Sequence, residues 1–175
     1  MTQRFAFLRA INVGGHTVRM DRLRALFEEL GFSDVEPFIA SGNVVFRARE
    51  RDAAKLERRI EAHLRDGLGF EVATFLRTRE ELATIRNRAP FGASPGGTVY
   101  VGFLRDAPPA DAVAALESFA NEVDSFAVIG REVYWLARKG LGKSTFSGAR
   151  LERTLARQTT LRNTNTLDRL LAKHR

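Results

Sequence analysis

The chain has 175 residues, 44% hydrophobic and 28% charged, a size and composition that allow one real core or two small units sharing one. It carries 28 Lys/Arg against 21 Asp/Glu, a formal net charge of +7, and no apolar run approaches the roughly 20 residues of a membrane helix. Cysteine is absent and the three histidines (His16, His63, His174) are dispersed, which excludes disulfides, thiol nucleophiles and Cys-based zinc and leaves no metal or cofactor expected.

Met1-Thr2-Gln3-Arg4 leads into Phe5 to Ile11, an apolar strand-like run too short for a secretion signal, so a cytoplasmic location and no membrane partner are expected. Met20, Leu23, Leu26, Phe27 and Leu30 recur at helical spacing and Gly31 closes that helix. Val35 to Ala40 predicts a second strand, Ser41-Gly42-Asn43 a turn, and Val44 to Ala48 a third strand. Leu56, Ile60 and Leu64 mark a second helix ending at Asp66-Gly67, and Phe70 to Leu76 a fourth strand. The order βαββαβ is that of the ferredoxin-like fold, in which the second strand lies at an edge, where Pro37 belongs.

A short helix (Leu82, Ile85) and the Pro/Gly-rich connection Pro90 to Gly97 follow, and then the pattern restarts. Thr98 to Arg105 is strand-like, Val113, Leu116 and Phe119 form a helical stripe, and Phe126 to Ile129 with Glu132 to Ala137 form a hairpin across Gly130-Arg131. Phe7-Leu8-Arg9 matches Phe103-Leu104-Arg105, and Gly42 to Phe46 matches Gly130 to Tyr134, which points to an internal duplication. The expected fold is therefore α+β: two tandem ferredoxin-like subdomains of βαββ type, 1–77 and 78–138, and a basic helical tail, 139–175, packed on the body.

The charge is concentrated at that end. From Arg138 to Arg175 there are ten basic residues against two acidic ones, a net of +8, and the remainder of the chain is at −1. Gly140-Leu141-Gly142-Lys143-Ser144-Thr145 resembles a phosphate loop, but Ala137 occupies the first glycine position and the setting is an antiparallel hairpin, so a nucleotide triphosphatase is rejected. Lys143 and Ser144, ahead of a helix near Gly148, remain a place for one phosphate. Thr159 to Thr166 is almost wholly polar. Asn165 would cap the last helix with Asp168 three residues on, and Arg162 would serve either as a tether to a carboxylate or as a ligand contact. In the body, the topology sets the loop Asn12 to Thr17 beside the Ser41-Gly42-Asn43 turn, so that Gly14, Gly15 and Gly42 could let a ligand approach the backbone.

The candidate ligand-binding set is thus Arg9, Asn12, Gly14, Gly15, Ser41, Gly42 and Asn43 in the body and Lys143, Ser144, Arg150, Thr160, Arg162, Asn163 and Asn165 in the tail. The partner expected for it is an anionic small molecule, phosphate-bearing or otherwise. Nucleic acid is less favoured, because the central strands are apolar on both faces and display no open aromatic surface. Two alternatives stand beside binding: an enzyme on a small phosphorylated or carboxylated substrate with Arg9, Asn12, Asn43 and Arg162 as its polar residues, and a tail that is only a structural clamp.

The segments Phe7 to Gly15, Leu30-Gly31-Phe32, Ser41 to Phe46 and Thr160-x-Arg162-Asn163-x-Asn165-Thr166 together resemble the bacterial family called domain of unknown function 1697. The resemblance covers nearly the whole chain and implies a duplicated α+β protein with no assigned activity. Ala10 stands where that family commonly has Gly, and Thr164 where it commonly has Trp.

Overall fold

The computed structural model describes residues 1–12, 15–38 and 42–175, and the chain divides into two compact units, Met1–Leu82 and Ala83–Arg175. The first is built from β1 (Thr2–Leu8), α1 (Met20–Glu29), β2 (Ser33–Phe38), β3 (Asn43–Ala48), α2 (Ala53–Leu68) and β4 (Thr74–Arg77); the boundary between units falls within the next helix, α3 (Arg79–Asn87). Its strands lie in the order β2-β3-β1-β4 with every neighbour antiparallel, the ferredoxin-like arrangement. Pro37 sits on the edge strand β2, where a residue without an amide hydrogen costs no interior ladder bond.

The helical stripes decide which sheet face is covered. Leu23, Leu26 and Phe27 of α1 and Leu56, Ile60 and Leu64 of α2 are buried against Ala6, Leu8, Val44, Phe46 and Leu76 of the sheet. Each such large side chain contributes about 1.5–3 kcal/mol on burial. Asp52 caps α2 by accepting the Lys55 amide at 3.1 Å. The helix does not stop at Asp66-Gly67 as its sequence suggests. It runs through Gly67 to Leu68 and is closed by Gly69, in the left-handed region at φ +84°.

Two strand boundaries also differ from expectation. β1 ends at Leu8 rather than Ile11, because Ala10 turns into the left-handed region at φ +56°, which a strand cannot continue. β4 begins at Thr74 rather than Phe70, and the Phe70 ring instead stacks on His16 with centroids 3.9 Å apart.

The second unit contains β5 (Thr98–Phe103), α4 (Ala110–Glu117), β6 (Asp124–Ile129), β7 (Glu132–Ala137), α5 (Gly148–Leu155), β8 (Thr160–Asn163) and α6 (Thr164–Lys173). The sheet order β6-β7-β5-β8 repeats that of the first unit strand for strand. Its helix-side core gathers Leu104, Leu116, Phe126, Trp135, Phe146, Leu151 and Leu155. The stretch expected as a helical tail thus holds a strand, β8, which pairs with β5 and completes the second sheet. Leu161 joins the helix-side core while its neighbours Thr160 and Arg162 alternate to the other face. Among the described residues no helix is long and apolar enough to cross a membrane.

Backbone bonds fix how the halves correspond. The Leu8 amide donates to Gly42 and the Leu104 amide to Arg131, at 2.8 and 3.0 Å, and Phe7 faces Asn43 as Phe103 faces Glu132. Asn43 is therefore the counterpart of Glu132, one residue later than matching Gly42 to Gly130 implies. In a strand a slip of one residue would exchange the two faces; the observed register keeps Phe46 and Trp135 on equivalent helix-side positions. The opposite faces carry Phe5, Phe7, Val45 and Phe75 in one sheet and Val101, Phe103, Tyr134 and Leu136 in the other, all buried.

Candidate functional site

The second unit carries a half-open cavity of about 380 Å³, within the range of small-molecule sites. Its wall is the end of α3, the connection Arg88 to Gly97, the start of β5, Tyr134 of β7, and Thr164 and Asn165 in the first turn of α6. The connection follows from its sequence. Pro90 and Pro95 fix their own backbone angles, the Gly92 amide closes a turn on the Ala89 carbonyl at 3.0 Å, and Gly97 passes so near β7 that a Cβ there would stand 2.6 Å from Arg138 Cα.

Two guanidinium groups face this cavity, each held by a carboxylate. Arg88 Nη1 donates to Glu132 at 2.7 Å and to the Ile129 carbonyl at 3.4 Å. The Glu132 side chain is only 5% exposed, and that of Arg88 is 29% exposed. Burial works against the Arg88 charge, but its contacts with Tyr134 and Glu132 outweigh this and hold its pKa above the ordinary value. Burial raises the Tyr134 phenol, with Arg88 opposing, so Tyr134 stays protonated and donates to the Ile85 carbonyl at 2.9 Å. Arg86 forms a bidentate pair with Asp168 of α6 at 2.6 and 2.9 Å, which raises its pKa and ties the end of α3 to α6. Asn163 caps α6 by accepting the Thr166 amide at 2.9 Å, so the positive end of the helix dipole lies where Thr164 and Asn165 line the cavity.

Of the residues singled out from sequence, Asn165 lines this cavity; it is not the cap of α6, and Asp168 answers Arg86 rather than the helix terminus. Thr160 and Arg162 are neighbours on one face of β8. Arg162 Nη1 donates to Thr160 Oγ1 at 2.6 Å and to the Leu161 carbonyl at 2.9 Å, and burial lowers the Arg162 pKa to about 10. Ser144 donates to the buried Asp124 at 2.6 Å, a carboxylate that also accepts Trp135 Nε1 at 2.8 Å. Arg150 lies over the Phe119 and Phe146 rings at 4.2 and 5.1 Å, and Lys143 is exposed in the 3-10 turn that follows β7.

In the first unit, Asn12 closes its loop by accepting the Val18 amide at 2.8 Å, and the Asn43 side chain donates to the Phe38 carbonyl at 2.9 Å. Gly42, at φ +82°, leaves no room for a side chain, because its Cβ would meet Ile11 Cγ2 at 2.6 Å. The Arg9 amide donates to Ala73, and Gly15 is exposed. Gly14 and Ser41 lie outside the described residues.

Arg86, Arg88, Glu132 and Tyr134 were not singled out from sequence. A signal existed: a glutamate opening a strand otherwise fit for burial needs a buried cation, and the rigid Pro/Gly connection begins at an arginine. Among the described residues no group of three or more His, Asp or Glu could hold a metal ion.

The fold is shared with the solved structure of the conserved bacterial protein SP0830 from Streptococcus pneumoniae, at TM-score 0.73 and 23% identity, over 98% of this chain and 97% of that one. Comparison with curated proteins found no match. The family described as protein of unknown function (DUF1697) matches residues 1–134, from β1 to Tyr134 in the cavity wall, and the chain belongs to that family.

Proposed function

We propose that the protein binds a small organic anion, carboxylate- or phosphate-bearing, in the cavity of its second unit. The observation that carries this reading is the convergence of Arg86, Arg88, Tyr134, Thr164 and Asn165 on one cavity of about 380 Å³. Arg88 is oriented by a buried carboxylate and presents a planar donor set, and the α6 N-terminus adds partial positive charge from a second direction. Phe91, Pro90 and Val99 supply apolar wall for the remainder of a ligand. Anion titrations on the intact chain and on Arg88→Lys test it. The variant keeps the charge and loses the planar fork, and should weaken binding by about tenfold or more. Equal binding by both proteins, or none by either, would reject this site.

A structural role for the chain after residue 139 is favoured by a separate observation, the pairing of β8 with β5. Ser144, Arg150 and Asn163 each make contacts that a fold requires with or without a ligand.

A further inference from the structure

Resting on the cavity as an anion site, we infer that the paired carboxylates set its ligand class: it selects singly charged carboxylates over phosphate dianions, and Glu132 is the specificity-determining residue. The charges of the two lining guanidinium groups are each matched within the second unit. Glu132 holds Arg88 at 2.7 Å and Asp168 holds Arg86 at 2.6 and 2.9 Å. What remains in excess is the N-terminal end of α6, equivalent to about half a positive charge. One negative charge is close to balance there. A second would leave water without a partner and would sit near the Glu132 carboxylate, a cost that grows as the site dries.

The lining supports the rest of the assignment. Phe91 and Val99 bring part-exposed apolar surface to the wall, and Tyr134, buried with its hydroxyl engaged by the Ile85 carbonyl, backs it. A carboxylate on a ring or a short apolar body fits that combination of charge and surface. Glu132 touches Arg88 and is not among the lining residues, so it acts through Arg88 as a positioning residue.

Benzoate and phenyl phosphate carry the same ring and differ in charge, and their dissociation constants for the intact chain test the inference. At pH about 8 benzoate should bind at least about tenfold more tightly. Near pH 5.5, below the second phosphate pKa of about 6, phenyl phosphate becomes mostly a monoanion and the gap should narrow. Among the described residues, Arg86, Arg88 and Tyr134 line the cavity and Glu132 and Asp168 pair with its arginines, and the pH response expected is the ligand's own. Glu132→Gln removes the countercharge and should reverse the order at pH 8. Should that variant fail to fold, Asp168→Asn on the more exposed pair makes the same change of charge. Equal affinity of the intact chain for the two probes at pH 8, or tighter binding of the dianion, would overturn the inference while leaving anion binding intact. Binding of neither would reject both.

Discussion

Arg77 and Arg162 occupy the same position in the two units. Each is a buried residue of its unit's fourth strand, opposite Phe5 and Val101 respectively, and each sends Nη1 to the carbonyl of the residue before it, at 2.8 and 2.9 Å. Each is followed at once by a residue whose side chain caps a helix: Thr78 Oγ1 accepts the Glu81 amide, and Asn163 Oδ1 accepts the Thr166 amide. The repeat therefore runs past the strands into the helices α3 and α6. It places the polar tail sequence, which resembles a ligand loop when read alone, in the role of a strand and a cap.

That equivalence predicts a matched response. Arg77→Ala and Arg162→Ala should each lower stability by about 2–4 kcal/mol in urea denaturation, since each deletes a buried hydrogen-bonded charge. Arg162→Met, which fills the space without a charge to desolvate, should cost clearly less than Arg162→Ala.

Ala10 offers a change in the other direction. Its φ of +56° is one that glycine adopts freely and alanine does not. Ala10→Gly should raise stability by about 0.5–1 kcal/mol, read as a higher urea midpoint at unchanged slope.

Ser144 separates a structural role from ligand binding within the tail. Ser144→Ala deletes a hydrogen bond to the fully buried Asp124 and should cost about 1.5–3 kcal/mol, leaving benzoate affinity unchanged. A loss of affinity at full stability would return Ser144 to the site.

Removing residues 159–175 takes away β8 and α6, and with them one edge of the second sheet. The truncated chain should lose cooperative unfolding of the second unit, seen as a missing transition and collapse of amide protection across β5.

Much of this fold is legible in the sequence because local signals agree with tertiary need. Pro37 at a sheet edge, the stripes of α1 and α2, and the Gly130-Arg131 turn are each decided by a few neighbouring residues. Gly67 misleads because a glycine within a helix and one that ends it look alike until φ is known. β8 is missed because its stability comes from pairing with β5, about sixty residues earlier, and its own polar alternation reads as a loop. The cavity was the least accessible part. It depends on Arg88 meeting Glu132 and Arg86 meeting Asp168, pairings 44 and 82 residues apart in the chain. Among the described residues, Asn165 alone of those chosen from sequence lines it.

The most direct measurement is a crystal structure of the intact chain grown with 4-bromobenzoate, whose bromine marks the ligand by anomalous scattering. The result expected is a carboxylate within hydrogen-bond distance of Arg88 and of the first turn of α6, with the ring against Phe91 and Val99. Bromine located outside the second-unit cavity, or none bound at saturating concentration, would contradict the account.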